Sequence, residues 1–284
     1  MRHAVLGAGG IGGLIGAALA RAGAEALLLL RPATLASYRG RVTVESVVLG
    51  EFEVEVPATA SLDSEVDVLW VTTKATALEA ALPMAPPERV GTATVIPLLN
   101  GVDHVAALRE RYPNVVAAAI RVESERVSPG RIRQSSPFLR VELAGAEAIA
   151  RDLQAAGIDA RVRDDEVALL WDKLVVLAPV ALATTALDAP FGGIRDDRRY
   201  RDCLDETLAV ARALGADVDE AGHRAFQQTA PDQMRSSMQK DVAAGRSPEL
   251  DAIAGPILRG AEQHGIPVPA TRELAELVTK RSVG

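Results

Sequence analysis

A glycine-rich segment at the start of the chain constrains the fold more than any other feature. A short apolar run, Ala4–Leu6, leads into Gly7-x-Gly9-x-x-Gly12, and an Ala- and Leu-rich helical stretch separates it from a second apolar run, Ala26–Leu30. A strand, a tight turn, a helix and a strand within about 30 residues are the pattern of a dinucleotide-binding unit. We predict that the dinucleotide's pyrophosphate contacts the backbone of the residues Gly7, Ala8, Gly9, Gly10, Ile11 and Gly12.

The residue after the second apolar run indicates which dinucleotide is bound. NAD-binding units usually place Asp or Glu there, to accept hydrogen bonds from the ribose 2′-hydroxyl. This chain has Arg31 at that point and no acidic residue until Glu45. A guanidinium can bind a 2′-phosphate through two charge-assisted hydrogen bonds, so the sequence favours NADPH. The alternative is an Arg31 that is merely solvated at the end of a strand.

Charge and composition exclude several other classes of protein. The net charge of −7 argues against a nucleic-acid or anionic-membrane partner. Cys203 is the only cysteine, which excludes an internal disulfide and suits a cytoplasmic protein. No metal site is expected, because metal-ligand spacing is absent among the histidines His3, His104, His223 and His264.

Residues 1–163 read as an α/β unit. Short apolar strands alternate with helical segments in a pattern that predicts a Rossmann-type, doubly wound sheet. Arg41–Val48 and Glu51–Val56 alternate with period two and predict a hairpin. The remaining predicted strands are Asp67–Thr72, Thr94–Leu98, Asn114–Ile120 and Ile158–Val162, and the predicted helices are Ala75–Leu82, Asp103–Arg111 and Ala146–Ala156.

Residues 164–284 read as an all-helical second domain. Every long segment there has helical periodicity: Asp165–Leu187, Asp197–Leu214, Asp219–Gln228, Pro231–Ala243, Glu249–His264 and Thr271–Lys280. The longest apolar run, Leu174–Leu187, is shorter than the ~18 residues of a membrane span, so it predicts a buried helix. We expect a small substrate to be held against the cofactor between the two domains.

Three further segments carry residues suited to chemistry. Asn100-Gly101 follows a predicted strand, whose carboxyl end should face the ligand crevice. Lys173 enters an otherwise apolar helix in Leu170-Trp171-Asp172-Lys173-Leu174. The third segment is Ser236-Ser237-Met238, with Glu249-Leu250-Asp251 downstream.

Taken in order, these segments resemble the ketopantoate reductase (2-dehydropantoate 2-reductase) family over almost the whole chain. The shared motifs run from the fingerprint with Arg31 through Val71-Thr72-Thr73-Lys74 and Asn100-Gly101 to Trp171-x-Lys173-Leu174, Ser236-Ser237-Met238-Gln239-x-Asp241, Glu249-Leu250-Asp251-Ala252-Ile253 and His264-Gly265-Ile266-Pro267-Val268-Pro269. The resemblance implies reduction of a 2-oxo acid to a 2-hydroxy acid with NADPH, by a Rossmann domain and a helical domain.

The resemblance also implies roles for individual residues. Lys173 matches the family's catalytic lysine, and apolar neighbours would lower its pKa toward that of a useful proton donor. Asn100 matches a residue that bridges nicotinamide and substrate, and Glu249 matches a glutamate near lysine and cofactor. Ser237 matches a contact to the substrate carboxylate, and Lys74 matches a second contact to the 2′-phosphate. Outside the family, Lys173 would be a snorkelling lysine, Asn100 a turn residue and Glu249 a helix-capping acid. Ser237 would then be a helix cap or part of a solvated face.

Two departures from the family pattern concern the substrate. Asparagines stand four and eight residues after the lysine in the family, where this chain has Leu177 and Ala181. These positions share a helix face with Lys173, so we expect the substrate pocket to be more apolar than in the family. Such a pocket should discriminate less in favour of ketopantoate, which puts a role in pantothenate biosynthesis in doubt. Pro179 should bend the helix just past the lysine.

One alternative function comes from a different class. A cofactor-binding sensor or degenerate paralogue without turnover would share the fingerprint, although the retained Lys173, Asn100 and Glu249 argue against it. A short-chain dehydrogenase is disfavoured, because no tyrosine has a lysine four residues on. The oligomeric state is left open, with a homodimer as the candidate.

Overall fold

The computed structural model describes residues 1–283. The chain divides into two compact units: Met1–Leu99 with His104–Glu166 form the first, and Asn100–Asp103 with the chain from Val167 onward form the second. The first unit is α/β with a parallel sheet and the second is helical, which confirms the predicted fold class. The domain boundary after residue 163 stays a prediction. The sequence placed Asn100–Asp103 with the first domain, whereas these residues pack with the second unit.

Twelve strands are found in the described part of the first unit. They are β1 (Arg2–Leu6), β2 (Glu25–Leu29), β3 (Arg41–Ser46), β4 (Gly50–Glu55), β5 (Ala58–Thr59), β6 (Val68–Val71), β7 (Thr94–Pro97), β8 (Ala118–Arg121), β9 (Ser124–Ser128), β10 (Arg131–Gln134), β11 (Arg140–Ala144) and β12 (Asp159–Arg163). The helices of this unit are α1 (Gly10–Arg21), α2 (Pro32–Leu35), α3 (Leu78–Ala81), α4 (Pro87–Val90), α5 (His104–Arg109) and α6 (Glu147–Ala155).

Five strands form a parallel sheet in the order β5-β2-β1-β6-β7. The order reverses between β1 and β6, which is the topological switch point where doubly wound sheets bind ligands. Leu6 at the end of β1 pairs with Leu29 of β2 on one side and with Val71 of β6 on the other. The carboxyl ends of these three strands are therefore level at one edge of the sheet.

The predicted hairpin forms, but it lies outside the parallel sheet. Strands β3 and β4 pair antiparallel, β10 adds parallel to β3, and a second sheet results in the order β4-β3-β10-β9. This sheet packs on α1, because Gly10 lies directly against the Ser124 carbonyl oxygen and a Cβ on Gly13 would come within 2.5 Å of Ile132 Cδ1. The absence of a side chain at these two positions of α1 therefore allows the second sheet to pack closely on the helix.

The strand predicted over Asn114–Ile120 is wrong in its extent. Only Val115 bridges to Val95 of the parallel sheet, and the chain then leaves it to form β8. Strands β8 and β12 flank β11 in a third sheet. The backbone groups after residue 116 find antiparallel partners on β11 in place of a sixth parallel strand.

The second unit is built from seven helices within the described chain. They are α7 (Glu166–Leu187), α8 (Phe191–Ile194), α9 (Arg198–Ala213), α10 (Glu220–Thr229), α11 (Ser237–Ala243), α12 (Leu250–His264) and α13 (Pro269–Val283). Helix α7 is long and apolar enough to cross a membrane, yet 78% of its most apolar 18-residue window is buried inside the protein, as in a core helix. The helix continues through Pro179.

Two predicted helices are shorter than expected. The segment Ala75–Leu82 has only one α-helical turn, α3, with a 3₁₀ turn on either side, and Pro83 lies in the second of these. The helix predicted from Pro231 begins at Ser237. The carbonyls of Asp232 and Met234 accept backbone hydrogen bonds from Gly192 and Phe191, so tertiary partners replace the helical ones there.

Candidate functional site

The glycine fingerprint forms a tight turn at the switch point. Gly7 has a φ of +96°, and a Cβ at this position would come within 2.8 Å of Thr73 Cγ2. Thr72, the residue after β6, donates its hydroxyl to the Gly7 carbonyl (2.8 Å). Gly12 on α1 packs directly against the same Thr72 hydroxyl. Strand, turn and helix are thereby held together at the edge where β1 and β6 end.

The open side of this turn lies at Gly9. A Cβ on Gly9 would meet no heavy atom nearer than 4.0 Å. The first N–H groups of α1 have no partner within the helix, and the macrodipole makes that end electropositive. The Gly9 N–H donates to the Gly7 carbonyl (2.7 Å), but the space at Gly9 adjoins the first N–H groups of α1, and this combination fits a pyrophosphate. On its other side the turn is covered, because the Ser124 hydroxyl donates to the Gly10 carbonyl (2.9 Å).

The two predicted cations lie at the same sheet edge. Arg31 follows β2 and begins the short helix α2, whereas Lys74 follows β6. Both side chains are exposed. Since β1 lies between β2 and β6, the two cations stand on either side of the glycine turn.

Asn100 and Glu249 meet in the second unit. Asn100 donates from Nδ2 to the Glu249 carboxylate (3.1 Å) across 149 residues of sequence. Glu249 is only 8% exposed, and although it stands at the N-cap position of α12 its side chain makes no capping hydrogen bond. The carboxylate is therefore held by Asn100 and is not used to cap the helix.

The segment that carries Asn100 is fixed to α12 at two further points. Gly101 has a φ of +85° and lies directly against the Ala252 carbonyl oxygen. Asp103 forms an ion pair with Arg259, which also binds Asp251 (2.8 Å). These contacts hold the Asn-Gly turn to the start of α12. Sequence analysis missed them, because nothing local marks Arg259 as the partner of Asp103.

Lys173 lies on α7 and is partly buried. The preceding residue, Asp172, is 8% exposed, accepts a hydrogen bond from the Asp219 backbone N–H (3.1 Å) and lies 3.3 Å from His223 Nε2. Asp172 thus fastens α7 to the start of α10 beside the lysine. A buried acid next to a lysine in an apolar helix was the only sequence signal for this contact.

The two departures from the family pattern occupy different environments. Leu177 is partly buried and packs against the apolar cluster of the second unit. Ala181 is fully buried inside that cluster, with 0% of its surface exposed. Leu177 is therefore the more accessible of the two positions, and the contact of either residue with a substrate stays a prediction.

Ser236, and not Ser237, is the cap of α11, which was the alternative role for Ser237 in the sequence. Ser236 is buried, caps α11 by accepting from the Gln239 N–H (3.1 Å) and contacts the Thr184 hydroxyl (2.8 Å). Since Thr184 donates to the Val180 carbonyl, the Ser236 hydroxyl is the donor to Thr184. Ser237 is exposed as the first residue of α11, so its hydroxyl is open to a ligand.

The family models match both halves of the chain. The model described as ketopantoate reductase PanE/ApbA matches residues 3–144, and the model of its C-terminal part matches residues 167–282. A 2-dehydropantoate 2-reductase from Caulobacter vibrioides is 31% identical over 97% of each chain. These matches confirm the family resemblance seen in the motifs, and make the chain a homologue of NAD(P)H-dependent oxidoreductases.

Solved structures share the whole architecture. A PanE/ApbA family ketopantoate reductase from Ralstonia eutropha is 29% identical, with a TM-score of 0.88 over 100% of this chain and 99% of its own. A D-mandelate dehydrogenase solved with NADH and anilino(oxo)acetate has a TM-score of 0.89 over 100% of this chain and 99% of its own, at 23% identity. The second likeness concerns the fold alone.

Proposed function

This chain belongs to the ketopantoate reductase PanE/ApbA family, and from that premise we propose that it reduces a 2-oxo acid to the 2-hydroxy acid with NADPH. The observation that carries the proposal is the hydrogen bond from Asn100 to the buried Glu249 carboxylate. Burying a carboxylate costs free energy unless the group is paired, and Glu249 is paired with Asn100 and does not cap its own helix.

The cofactor belongs to the first unit in this proposal. The backbone of the fingerprint (Gly7, Ala8, Gly9, Gly10, Ile11 and Gly12) binds the pyrophosphate, and Arg31 and Lys74 bind the 2′-phosphate. When bound, the nicotinamide supplies the hydride. The cofactor is NADPH and not NADH in this proposal, because the cations Arg31 and Lys74, and no acidic residue, follow β2 and β6.

The acid–base chemistry belongs to the second unit. A carbonyl that gains a hydride develops negative charge on its oxygen, and Lys173 donates the proton that neutralises it. Asn100 and Glu249 hold cofactor and substrate in position, since the Asn100 amide can bond a ligand while its Nδ2 donates to Glu249. Ser237 offers a hydroxyl to the substrate carboxylate.

The proposed substrate preference is inferred from Leu177. Where the family has a hydrogen-bonding side chain one turn beyond the lysine, this chain has an apolar one, so a substrate hydroxyl would lose its partner there. We therefore propose that the preferred substrate is a 2-oxo acid with an apolar or aromatic side chain, and that ketopantoate is a poor one. Ala181 is fully buried, so the proposed substrate preference rests on Leu177.

A substrate panel tests the proposal. NADPH oxidation is followed with ketopantoate, with aliphatic 2-oxo acids that lack its 4-hydroxyl, and with an arylglyoxylate. We expect turnover of the apolar or aromatic compounds to exceed that of ketopantoate by about threefold to tenfold in kcat/KM, the equivalent of one lost hydrogen bond. NADPH binding without turnover of any compound would favour the sensor alternative, and light scattering on the same sample would decide whether the candidate homodimer forms.

A further inference from the structure

A cavity lies in the helical unit, where α7 ends. Its volume is about 170 Å³, and it is lined by Thr185, Asp188, Gln239, Val242, Ala243 and Arg281 from α7, α11, α13 and the turn after α7. This is the space of roughly five to six water molecules, and an engineered cavity of about 150 Å³ accommodates benzene. Thr185 stands twelve residues after Lys173 on α7, which is about 18 Å along the helix axis. The cavity is therefore separate from the proposed catalytic lysine.

Two buried side chains at the cavity have polar atoms without partners. Thr185 is 1% exposed and its hydroxyl makes no hydrogen bond, and Gln239 is 3% exposed with an unpaired Oε1. Gln239 Nε2 lies 3.4 Å from an Asp188 carboxylate oxygen, so turning the amide over would place two oxygens face to face. The amide orientation is thereby fixed, and its oxygen remains an acceptor in need of a donor.

A charged pair completes the lining. Arg281 binds Asp188 through one nitrogen (2.8 Å), and a guanidinium has further N–H donors. Asp188 adopts a φ of +50°, a conformation that carries cost for any residue but glycine and that here aims its carboxylate at Arg281 and Gln239. The cavity thus presents donors from Arg281 and Thr185 and acceptors from Gln239 and Asp188.

We propose that this cavity binds a small carboxylic acid that also carries a hydroxyl or ammonium group. The carboxylate is recognised by the Arg281 guanidinium and the Thr185 hydroxyl. The hydroxyl or ammonium donor satisfies Gln239 Oε1, with Asp188 as the second acceptor. The volume restricts the ligand to roughly six to eight non-hydrogen atoms. Lactate and β-alanine both have this chemistry, one with a hydroxyl group and the other with an ammonium group.

Ligand-observed NMR on the full-length protein, without NADPH, tests the proposal. The probes are lactate and β-alanine, with propionate as the carboxylate that lacks a donor and propan-2-ol as the alcohol that lacks a carboxylate. We expect saturable binding of lactate or β-alanine, and affinities at least tenfold weaker for propionate and propan-2-ol. Binding that does not saturate for either probe, or equal binding of propionate, overturns the proposal.

Variants assign the binding to the cavity. Thr185→Val and Gln239→Leu keep the side-chain volume and should each weaken binding at least tenfold, whereas Thr185→Ser, which restores the hydroxyl, and Thr229→Val on α10 should bind as the parent does. Lys173→Ala should also bind unchanged. Loss of binding in Lys173→Ala with retention in Thr185→Val would place the ligand at the proposed catalytic site and overturn the proposal. Circular dichroism shows whether each variant is folded, and Gln239→Leu retains the test if Thr185→Val is not.

Discussion

Arg31 and Lys74 are ordinary exposed cations when each is considered by itself. Their meaning comes from position, since they follow the strands on either side of β1, beside the glycine turn. The same reasoning applies to Glu249, which looks like a helix cap in the sequence and is instead a buried partner of Asn100. For a single residue, the type of side chain suggests which chemistry it could perform. Its neighbours in the fold decide whether the side chain can perform that chemistry.

Removing the guanidinium at position 31 should change cofactor preference. Arg31→Ala loses charge-assisted hydrogen bonds to a 2′-phosphate, which are worth about 1.5–3 kcal/mol, so NADPH should bind roughly ten- to hundredfold more weakly while NADH changes little. Fluorescence titration measures both affinities. Arg151→Ala, which removes an exposed arginine on α6, is the control and should leave both unchanged. Equal affinities for NADPH and NADH in the parent protein would contradict the argument from Arg31.

Removing the lysine should separate chemistry from cofactor binding. Lys173→Ala should lower kcat by about 10²–10⁴, the range for loss of a general acid, and leave the NADPH affinity within a factor of two. Stopped-flow or steady-state NADPH oxidation on the preferred substrate gives kcat. Lys280→Ala on α13 is the matched loss of one lysine and should retain parental rates. An active Lys173→Ala enzyme would remove this residue from the mechanism.

At the element scale, α7 carries both the proposed acid and the proposed specificity. Leu177→Asn should improve kcat/KM for ketopantoate relative to an aliphatic 2-oxo acid by about threefold to tenfold, because it restores one hydrogen-bonding group. The single variant is the informative one, since Ala181→Asn would bury an amide in a closed apolar cluster. An unchanged substrate ratio, in a variant with parental thermal stability, would show that position 177 does not contact the substrate.

The turn after β7 depends on α12 in a way that glycine variants can measure. Gly101→Ala combines a positive φ with direct overlap on the Ala252 carbonyl. Gly23→Ala has a similar φ of +88° but no heavy atom within 4 Å of its Cβ. We expect about 1–2 kcal/mol of destabilisation from the backbone in both, and a further loss only in Gly101→Ala. Urea unfolding measures the loss of unfolding free energy in each variant. Equal losses would mean that the turn at Gly101 moves away from α12 with no further loss of stability.

At the scale of the whole molecule, the stability of the protein should depend on a buried histidine. His3 is fully buried, accepts from Trp70 Nε1 at Nδ1 (3.2 Å) and lies 3.2 Å from Asp152 at Nε2. Burial lowers its pKa below 6.5, although Asp152 opposes the shift. The folded state therefore keeps His3 neutral at a pH where the unfolded chain is protonated, so stability is present above pH 6.5 and is lost as the pH falls toward the lowered folded pKa.

The measurement is the free energy of unfolding between pH 5 and pH 7. The parent should lose stability as the pH falls, with a contribution from His3 of at most about 1.4 kcal/mol per pH unit for one proton. His3→Gln should show a shallower dependence on pH, and His264→Gln, at an exposed position, should keep the parental one. Identical pH profiles for the parent and His3→Gln would rule out His3 as the source.

The fold class, the glycine turn, the hairpin and the family motifs could all be predicted from the amino-acid sequence. These features depend on residues within a few positions of one another: the glycine spacing, the alternation of Arg41–Val48, the helical periodicity after residue 164. Such local patterns reflect the backbone conformation and the burial of one face of a helix or strand. Both leave a periodicity in the sequence that can be recognised without the structure.

How these elements combine depends on long-range packing and could not be predicted. The tertiary structure divided the strands among three sheets, assigned the cap of α11 to Ser236, closed Ala181 into the core, and paired Asn100 with Glu249 across 149 residues. A side chain reaches such partners only after the chain has folded, because long-range packing settles which backbone groups are already paired and which faces are covered. No spacing in the sequence records that outcome.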